Sequence, residues 1–320
     1  MNQRVWITWE IQRRNRTLSN KVGAQLYELV FPGGRLKRYP QQLAATLRVL
    51  QARRPDVLFV QNPSIVLAFF AVNLKRFFGI RQLVVDAHNA GIFPMEGRSR
   101  ILNVFARYII KHADVVIVTN EHLAGYVEDC SGRAVVIPDP LPEFADDTIE
   151  PLNATKMPRR ATLICTWSED EPYMEFIVAA GDLEGEVEFY ITGNHRNRVA
   201  KESLPANVCL TGFLDEAAYV KQLQNSDFIV VLTTREHCLN CGAYEAVALE
   251  KPLLLSDTHA LRAYFSIGTV FSGNDTDSLR QALRKILQEL PAKQAEISQL
   301  RRELEQHWGE YMLPLENFLQ

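Results

Sequence analysis

The residues best suited to chemistry in this sequence lie in one segment, His237 to Asp257, which reads HCLNCGAYEAVALEKPLLLSD. An apolar run at 228–232 precedes it, and small residues around Gly242 lead into a helical pattern and a second apolar run. A strand, a turn, a helix and a strand within about 30 residues form a βαβ unit. The first N–H groups of such a helix favour a phosphate. Glu245, expected in the first helical turn, could accept hydrogen bonds from a ribose.

A second group of candidate residues follows the strand expected at 82–86. Asp86 and His88 stand at its end, where a carboxylate can orient an imidazole and raise its basicity, so that the ring takes a proton from a hydroxyl. We expect His88 to act as the base or to position an acceptor, next to Asn89. Asp86 is the second candidate base, and Glu10, at the end of the first strand, is the third. A structural turn is the alternative interpretation.

Arginines follow the first expected strand, where a dinucleotide-binding protein would have glycines. Four arginines lie within residues 4–16, which excludes a simple nicotinamide or flavin fingerprint. They indicate an anionic acceptor such as a polyprenyl diphosphate, with Arg16 best placed to bind it. A solvent-facing basic loop is the alternative. Asn62, after the second expected strand, would form part of the wall of this acceptor site.

The composition excludes several functional classes. The 320 residues have 35 basic and 38 acidic side chains, so a net charge of -3 does not favour nucleic acid. The five cysteines are scattered, which is typical of a reducing compartment, and the first residues do not resemble a signal peptide. Cys238 and Cys241 form a lone CxxC without a second ligand pair, so we expect no bound metal.

Apolar strand-like runs alternate with helical patterns along both halves, which predicts an α/β protein with two doubly wound parallel sheets. A proline- and acid-rich stretch separates the halves, as in an interdomain linker. The expected parts are an N-terminal domain at 1–145, a linker at 146–158, a second domain at 159–305 and a C-terminal helix at 306–320.

Three patches of the sequence resemble known glycosyltransferases. Glu245 with the EKP at 250–252 is similar to the donor-binding segment of GT-B glycosyltransferases. CTWSEDEPYMEF at 165–176 resembles the TSWTxDED segment of chitobiosyl-diphosphodolichol β-mannosyltransferases, and VVDAHNAG at 84–91 resembles their DWHNYG. The resemblance implies two Rossmann-like domains that face each other across a cleft, with the last helix packed on the first domain. Bacterial glycosyltransferases of polysaccharide synthesis are similar in plan.

The same resemblance implies that the second domain binds a nucleotide sugar, UDP- or GDP-linked, and the first an acceptor. The donor-binding residues would follow the strand ends of the second domain. They are Thr166, Trp167, Ser168, Gly193, Asn194, Arg196, Gly212, Phe213, Leu214, Arg235, His237, Asn240, Cys241, Gly242, Ala243 and Glu245.

One feature departs from the family pattern. Retaining GT-B enzymes usually have an Arg and a Lys after the first strand of the second domain, whereas this sequence has acids at 169–171. We therefore expect Arg196, Arg198 or Arg235 to stabilise the leaving diphosphate. The first glutamate of the family's usual pair is also displaced, because His237 stands eight residues before Glu245.

The predicted function is hexosyl transfer to a hydroxyl of a glycan or lipid-linked glycan, without metal or cofactor, in polysaccharide or glycoconjugate synthesis. The apolar run at 65–78 is either a buried helix or a helix at a membrane surface, so we expect a cytoplasmic protein with possible peripheral membrane contact. Two alternatives remain: a sugar-nucleotide 2-epimerase, and a non-catalytic binding or scaffold subunit. Retaining and inverting chemistry are both open.

Overall fold

The computed structural model describes residues 3–62, 64–144, 157–196, 198–200 and 203–320. The chain forms two compact units, Met1–Pro140 with Trp308–Gln320, and Leu141–His307. Most of the linker predicted at 146–158 lies outside the described residues.

The first unit contains one parallel sheet, in the strand order β2-β1-β3-β4-β5-β6. Its strands are β1 (Arg4–Thr8), β2 (Gln25–Glu28), β3 (Val57–Asn62), β4 (Gln82–Ala87), β5 (Val115–Val118) and β6 (Ala134–Val136). Its helices before the second unit are α1 (Arg13–Lys21), α2 (Arg35–Arg53), α3 (Ile65–Leu74), α4 (Asn89–Ile92), α5 (Arg100–His112) and α6 (Glu121–Asp129), with a 3-10 turn at Pro94–Gly97.

The second unit repeats this plan with a parallel sheet in the order β12-β11-β10-β7-β8-β9. Its strands are β7 (Arg159–Leu163), β8 (Val187–Thr192), β9 (Val208–Gly212), β10 (Phe228–Val231), β11 (Leu253–Ser256) and β12 (Thr269–Ser272). Its helices are α7 (Tyr173–Gly181), α8 (Glu216–Gln224), α9 (Cys241–Ala248), α10 (His259–Tyr264) and α11 (Thr276–His307).

The central strands are apolar along their whole length because helices cover both faces of each sheet. All residues of β3, β5, β10 and β11 are buried. This pattern is expected for parallel sheets with two covered faces. It confirms the predicted α/β class and the two doubly wound sheets. In each unit the parallel strands bring their carboxyl ends, and the loops that follow them, to one edge.

The C-terminal residues pack on the first unit. A 3-10 turn at Trp308–Met312 leads into α12 (Leu313–Leu319). The indole Nε1 of Trp308 donates to the carbonyl of Pro138 at 3.0 Å. Leu315 and Leu319 are buried in the same apolar cluster as Trp6. Helix α11 continues through Pro291 and ends at His307.

The prediction for α3 had two alternatives, and the structure buries this helix in part. Leu67, Ala68 and Ala71 lie in the core of the first unit. Val66 remains partly exposed, and Phe77, just after the helix, is exposed. Among the residues that the structure describes, no helix has the length and apolar character needed to cross a bilayer.

Helix α1 begins at Arg13, so Arg13, Arg14 and Arg16 lie on a helix rather than in a solvent-facing basic loop. The side chain of Cys209 is exposed on the edge strand β9. An edge strand has a partner on one side only, so part of its surface stays in solvent.

Candidate functional site

The turn after β7 is fixed by the carboxylate of Glu171. This carboxylate accepts hydrogen bonds from the backbone N–H groups of Thr166 at 3.0 Å and Ser168 at 2.8 Å. The Thr166 hydroxyl also contacts it at 3.0 Å. Trp167 is buried, and its indole Nε1 donates to the carbonyl of Thr192 at 2.9 Å. The indole is therefore part of the core, while Thr166 and Ser168 remain at the edge of the sheet.

Cys165, at the start of this turn, is not a nucleophile. Burial, followed by the charge of Glu171, raises the pKa of the thiol well above its ordinary value. The thiol therefore stays protonated at neutral pH, and only a thiolate would attack a substrate.

The turn after β8 brings two backbone segments into contact. Gly193 has a φ of +85°, and a Cβ at this position would lie 2.1 Å from the carbonyl oxygen of Cys165. Position 193 therefore requires glycine, because the backbone at Cys165 leaves no room for a side chain. Asn194 accepts a hydrogen bond from the backbone N–H of Arg196 at 3.1 Å. Arg196 is exposed, and none of the described carboxylates forms an ion pair with it.

The turn after β9 carries an exposed phenylalanine side chain at the carboxyl edge of the second sheet. Gly212 has a φ of +71° and open space around the position of a Cβ. The following Phe213 is 84% exposed, and Leu214 is half-buried. An exposed phenylalanine next to a glycine could contact a planar base.

Helix α9 follows β10 and begins at Cys241. Its N-cap is Asn240, whose Oδ1 is buried without a hydrogen-bond partner among the described residues. A Cβ on Gly242 would lie 2.9 Å from Cδ1 of Ile164, so the start of the helix packs against the segment after β7. Ala243 is buried, and its N–H already donates to the carbonyl of Asn240 at 3.0 Å. Cys241 is exposed.

Glu245 is the fifth residue of α9, so its predicted place in the first turn is wrong. It is half-buried, and its Oε2 accepts a hydrogen bond from the hydroxyl of Tyr219 at 2.5 Å. Tyr219 lies on α8, 26 residues earlier. The sequence carries no signal for this contact, because it depends on how two helices pack.

Arg235 has an acidic partner in this structure. It forms an ion pair with Asp170 at 3.2 Å, and Asp170 also accepts from the Thr233 hydroxyl at 3.0 Å. His237 is half-buried in the same loop. Glu236, one residue before it, accepts from the backbone N–H of His259 at 2.6 Å. This glutamate thus stabilises the start of α10.

In the first unit, Asp86 is fully buried and binds Arg14 with both oxygens, at 3.1 Å from Nε. Arg14 also pairs with Asp139 at 2.7 Å. Burial disfavours the guanidinium cation, but these two carboxylates outweigh it and raise the pKa of Arg14 above its ordinary value. The sequence did not point to this pairing, because the partners are 72 and 125 residues apart.

His88 lies directly beside this ion pair. Its Nε2 is 3.7 Å from Oδ2 of Asp86, too long for a hydrogen bond. The ring is partly exposed, and Nε2 has no hydrogen-bond partner within the described part of the chain. The same holds for Oδ1 of Asn62 and Oδ1 of Asn89. The ends of β3 and β4 therefore hold a group of unsatisfied polar atoms, which a bound polar molecule could satisfy.

Two further candidate residues of the first unit lie at its surface. Arg16 forms a two-point ion pair with Glu28, at 3.0 Å from Nε and 2.9 Å from Nη2. Glu10 is exposed, and its Oε2 accepts from Nε2 of Gln12 at 3.2 Å. The guanidinium of Arg16 is thus already engaged by an acid of the same unit.

A family model described as "Glycosyl transferase 4-like domain" matches residues 6–140. A comparison with curated protein sequences finds no match. Sucrose-phosphate synthase from Thermosynechococcus elongatus superposes with a TM-score of 0.76 and 14% identity, over 99% of this chain and 98% of that chain.

Two other solved structures show the same likeness. HepE from Anabaena, in complex with UDP and glucose, has a TM-score of 0.69 and 15% identity over 98% of this chain and 91% of its own. The lipopolysaccharide outer core galactosyltransferase WaaB has a TM-score of 0.61 and 11% identity over 96% and 98%. The chain therefore has the GT-B fold of the glycosyltransferases, with a glycosyl transferase 4-like domain at residues 6–140.

Proposed function

We propose that this chain transfers a hexosyl group from a nucleoside-diphosphate sugar to a hydroxyl of a glycan or lipid-linked glycan. The observation that carries this proposal is the placement of Glu245. It lies on α9, which starts at the carboxyl edge of the second sheet, and its carboxylate accepts a hydrogen bond from Tyr219. Ligands of open α/β folds bind at this edge. HepE, which has the same fold, holds UDP and glucose in its structure.

The second unit would hold the donor. Glu245 would accept hydrogen bonds from the ribose hydroxyls, with Tyr219 fixing the orientation of its carboxylate. The start of α9, at Cys241 and Gly242, would face the diphosphate with its N–H groups and partial positive charge. Phe213 would contact the base. The remaining donor residues, Thr166, Ser168, Gly193, Asn194, Leu214 and His237, would line the same edge.

Departure of the nucleoside diphosphate requires a cation, because a helix end alone contributes only about 0.3–1 kcal/mol at an exposed site. Arg196 is better suited than Arg235, since Asp170 already pairs with Arg235. Arg196 stands just after the turn that Gly193 forms at the end of β8. We assign it the role of binding the leaving phosphate.

The first unit would hold the acceptor, with His88 as the proposed base. Because Arg14 binds both oxygens of Asp86, we assign Asp86 to positioning His88 rather than to proton transfer. Asn62 and Asn89 would offer their unsatisfied amide oxygens to acceptor hydroxyls. These neutral groups fit a sugar better than a phosphate. Arg16 and Glu10 would contact the acceptor only at the rim.

The setting we infer is polysaccharide or glycoconjugate synthesis at the inner face of the membrane, without a metal ion or cofactor. The five cysteines are scattered along the sequence, which supports a reducing compartment.

The direct test is calorimetric titration of the chain with UDP and GDP. We expect one of them to bind, and Glu245→Ala to weaken that binding by about 10- to 100-fold, since a lost hydrogen bond to a charged group is worth about 1.5–3 kcal/mol. Glu216→Ala, on an exposed position of α8, is the matched control. Equal affinities in wild type and Glu245→Ala would contradict the assignment.

A non-catalytic binding subunit is the second candidate, and one observation favours it. The turn after β7 has acids where retaining relatives have cations, and Asp170 neutralises Arg235. If neither nucleotide binds, this candidate replaces the first.

A further inference from the structure

Helix α5 has a second apolar face that does not contact the core. Ala106, Ile109 and Ile110 point into the first unit and are buried. On the opposite side, Ile101 is 71% exposed and Val104 is 67% exposed. Helical spacing places these two on one stripe with Phe105 and Tyr108.

The exposed stripe extends beyond the helix. Met95, in the preceding 3-10 turn, is 67% exposed. Phe69 of α3 packs on the rings of Phe105 and Tyr108, with centroids 5.1 and 5.5 Å away. The two aromatic side chains are therefore held in place at the base of the stripe. Large apolar residues that cluster on one surface indicate an interaction site.

Basic side chains run along one margin of this stripe. Three basic residues lie on one line of the helix because they are seven and four residues apart: Arg100, Arg107 and Lys111. All three are exposed. The 13 residues of α5 include no Asp or Glu. The nearby acids Glu96 and Asp114 are already ion-paired, with Arg98 and Lys75.

An open cavity of about 580 Å³ lies at the basic end of the helix. Arg107 forms one side, where its Nε donates to the hydroxyl of Tyr126 at 3.3 Å. One acid, Asp129, faces the same space. The lining residues are Arg107, Tyr108, Lys111, His112, Tyr126, Asp129 and Cys130. With more basic than acidic groups and several donors, the cavity is suited to a phosphate-bearing group.

We propose that α5, with Met95, docks on an anionic lipid bilayer. The stripe of Ile101, Val104 and Phe105 enters the boundary between headgroups and acyl chains, and Arg107 and Lys111 bind lipid phosphates. An apolar face flanked by a row of like charges is the pattern of a helix that lies in a membrane surface. This surface differs from α3, which the sequence suggested, and it does not depend on the proposed transfer reaction.

Flotation of the whole chain with lipid vesicles tests the proposal. The chain should float with vesicles of phosphatidylcholine and phosphatidylglycerol, much less with phosphatidylcholine alone, and binding should weaken as salt rises. The pair Ile101→Ser and Val104→Ser should abolish flotation. The pair Arg107→Gln and Lys111→Gln should weaken binding about 10-fold or more, because each basic residue near the surface contributes about fivefold.

Matched controls lie on the second unit. Val178→Ser, on α7, removes an exposed apolar side chain, and Arg284→Gln with Lys285→Gln, on α11, removes two exposed charges. Neither should change flotation. Equal flotation with neutral vesicles, or unchanged flotation of the α5 variants, would overturn the proposal. So would a concentration-dependent dimer that Ile101→Ser abolishes, since the stripe would then bind a second copy of the chain. No donor sugar is present, so the result is independent of the transfer assay.

Discussion

At the scale of single residues, Tyr219 and Glu245 form the contact that links α8 to the proposed ribose site. The hydroxyl of Tyr219 donates to one carboxylate oxygen of Glu245, Oε2, and so holds the carboxylate in one orientation. A carboxylate whose position is fixed before binding loses less entropy when the ligand arrives.

We therefore expect Tyr219→Phe to reduce nucleotide affinity by about 5- to 10-fold, which corresponds to about one hydrogen bond. Isothermal titration with the nucleotide that binds wild type measures the change. Tyr311→Phe, on the 3-10 turn of the first unit, serves as the control. An unchanged dissociation constant for Tyr219→Phe would show that the tyrosine does not position Glu245.

The buried ion pair in the first unit makes a prediction about stability. Arg14→Met leaves the buried carboxylate of Asp86 without its partner, so unfolding should become easier by about 3–5 kcal/mol. Denaturant titration followed by circular dichroism measures this loss. The double variant Arg14→Met with Asp86→Leu should recover most of it, because an apolar pair can replace a buried ion pair.

Arg16→Met is the matched control for this experiment, because it removes an exposed arginine from the same helix. It should leave stability almost unchanged. A similar loss for Arg16→Met and Arg14→Met would refute the special role of the buried pair.

At the scale of elements, the turns after β7 and β8 must pack closely to shape the edge of the second sheet. Gly193→Ala places a Cβ against the backbone carbonyl of Cys165, and no side-chain movement can relieve this overlap. The positive φ of residue 193 adds backbone strain. A strained backbone position alone costs about 1–3 kcal/mol. We expect the free energy of unfolding of Gly193→Ala to fall by more than this amount. Nucleotide binding should weaken as well.

Gly212→Ala separates backbone strain from atomic overlap. Its φ is also positive, so the strain is present, but nothing lies within 4 Å of the new Cβ. It should destabilise by only about 1 kcal/mol. Thermal unfolding of both variants provides the comparison, and equal melting temperatures would argue against a required contact between the two turns.

The sequence predicted the elements whose residues are uniformly apolar. β3, β4 and β10 are buried on both faces, so their composition alone marks them. β2 was missed, because QLYE is a half-exposed edge strand that pairs only with β1 and carries no apolar run.

The candidate site was predictable only as a set of strand ends. Parallel pairing brings the ends of β3 and β4 together, so Asn62, His88 and Asn89 could be placed at one edge. The partners of these residues could not be predicted. Arg14 and Asp86 are 72 residues apart in the sequence. Asp170 follows β7, whereas its partner Arg235 follows β10, so both contacts depend on tertiary packing.

At the scale of the whole molecule, the proposed reaction is divided between two units with the same plan. The second unit, with Glu245, would bind the activated sugar, and the first, with His88, would bind the acceptor and take its proton. The GT-B fold extends over 99% of the chain in the match to sucrose-phosphate synthase. Each unit therefore has its own expected defect when its key residue is changed.

The most direct measurement is a panel of nucleotide sugars, read by mass spectrometry for hydrolysis or transfer, with nucleotide affinity measured in parallel. We predict that wild type consumes one nucleotide sugar. His88→Ala should bind the nucleotide normally but turn over about 100- to 10,000-fold more slowly, as expected for the loss of a general base. Glu245→Ala should lose nucleotide affinity. Equal loss of affinity in both variants, or no consumption of any nucleotide sugar by wild type, would contradict the account.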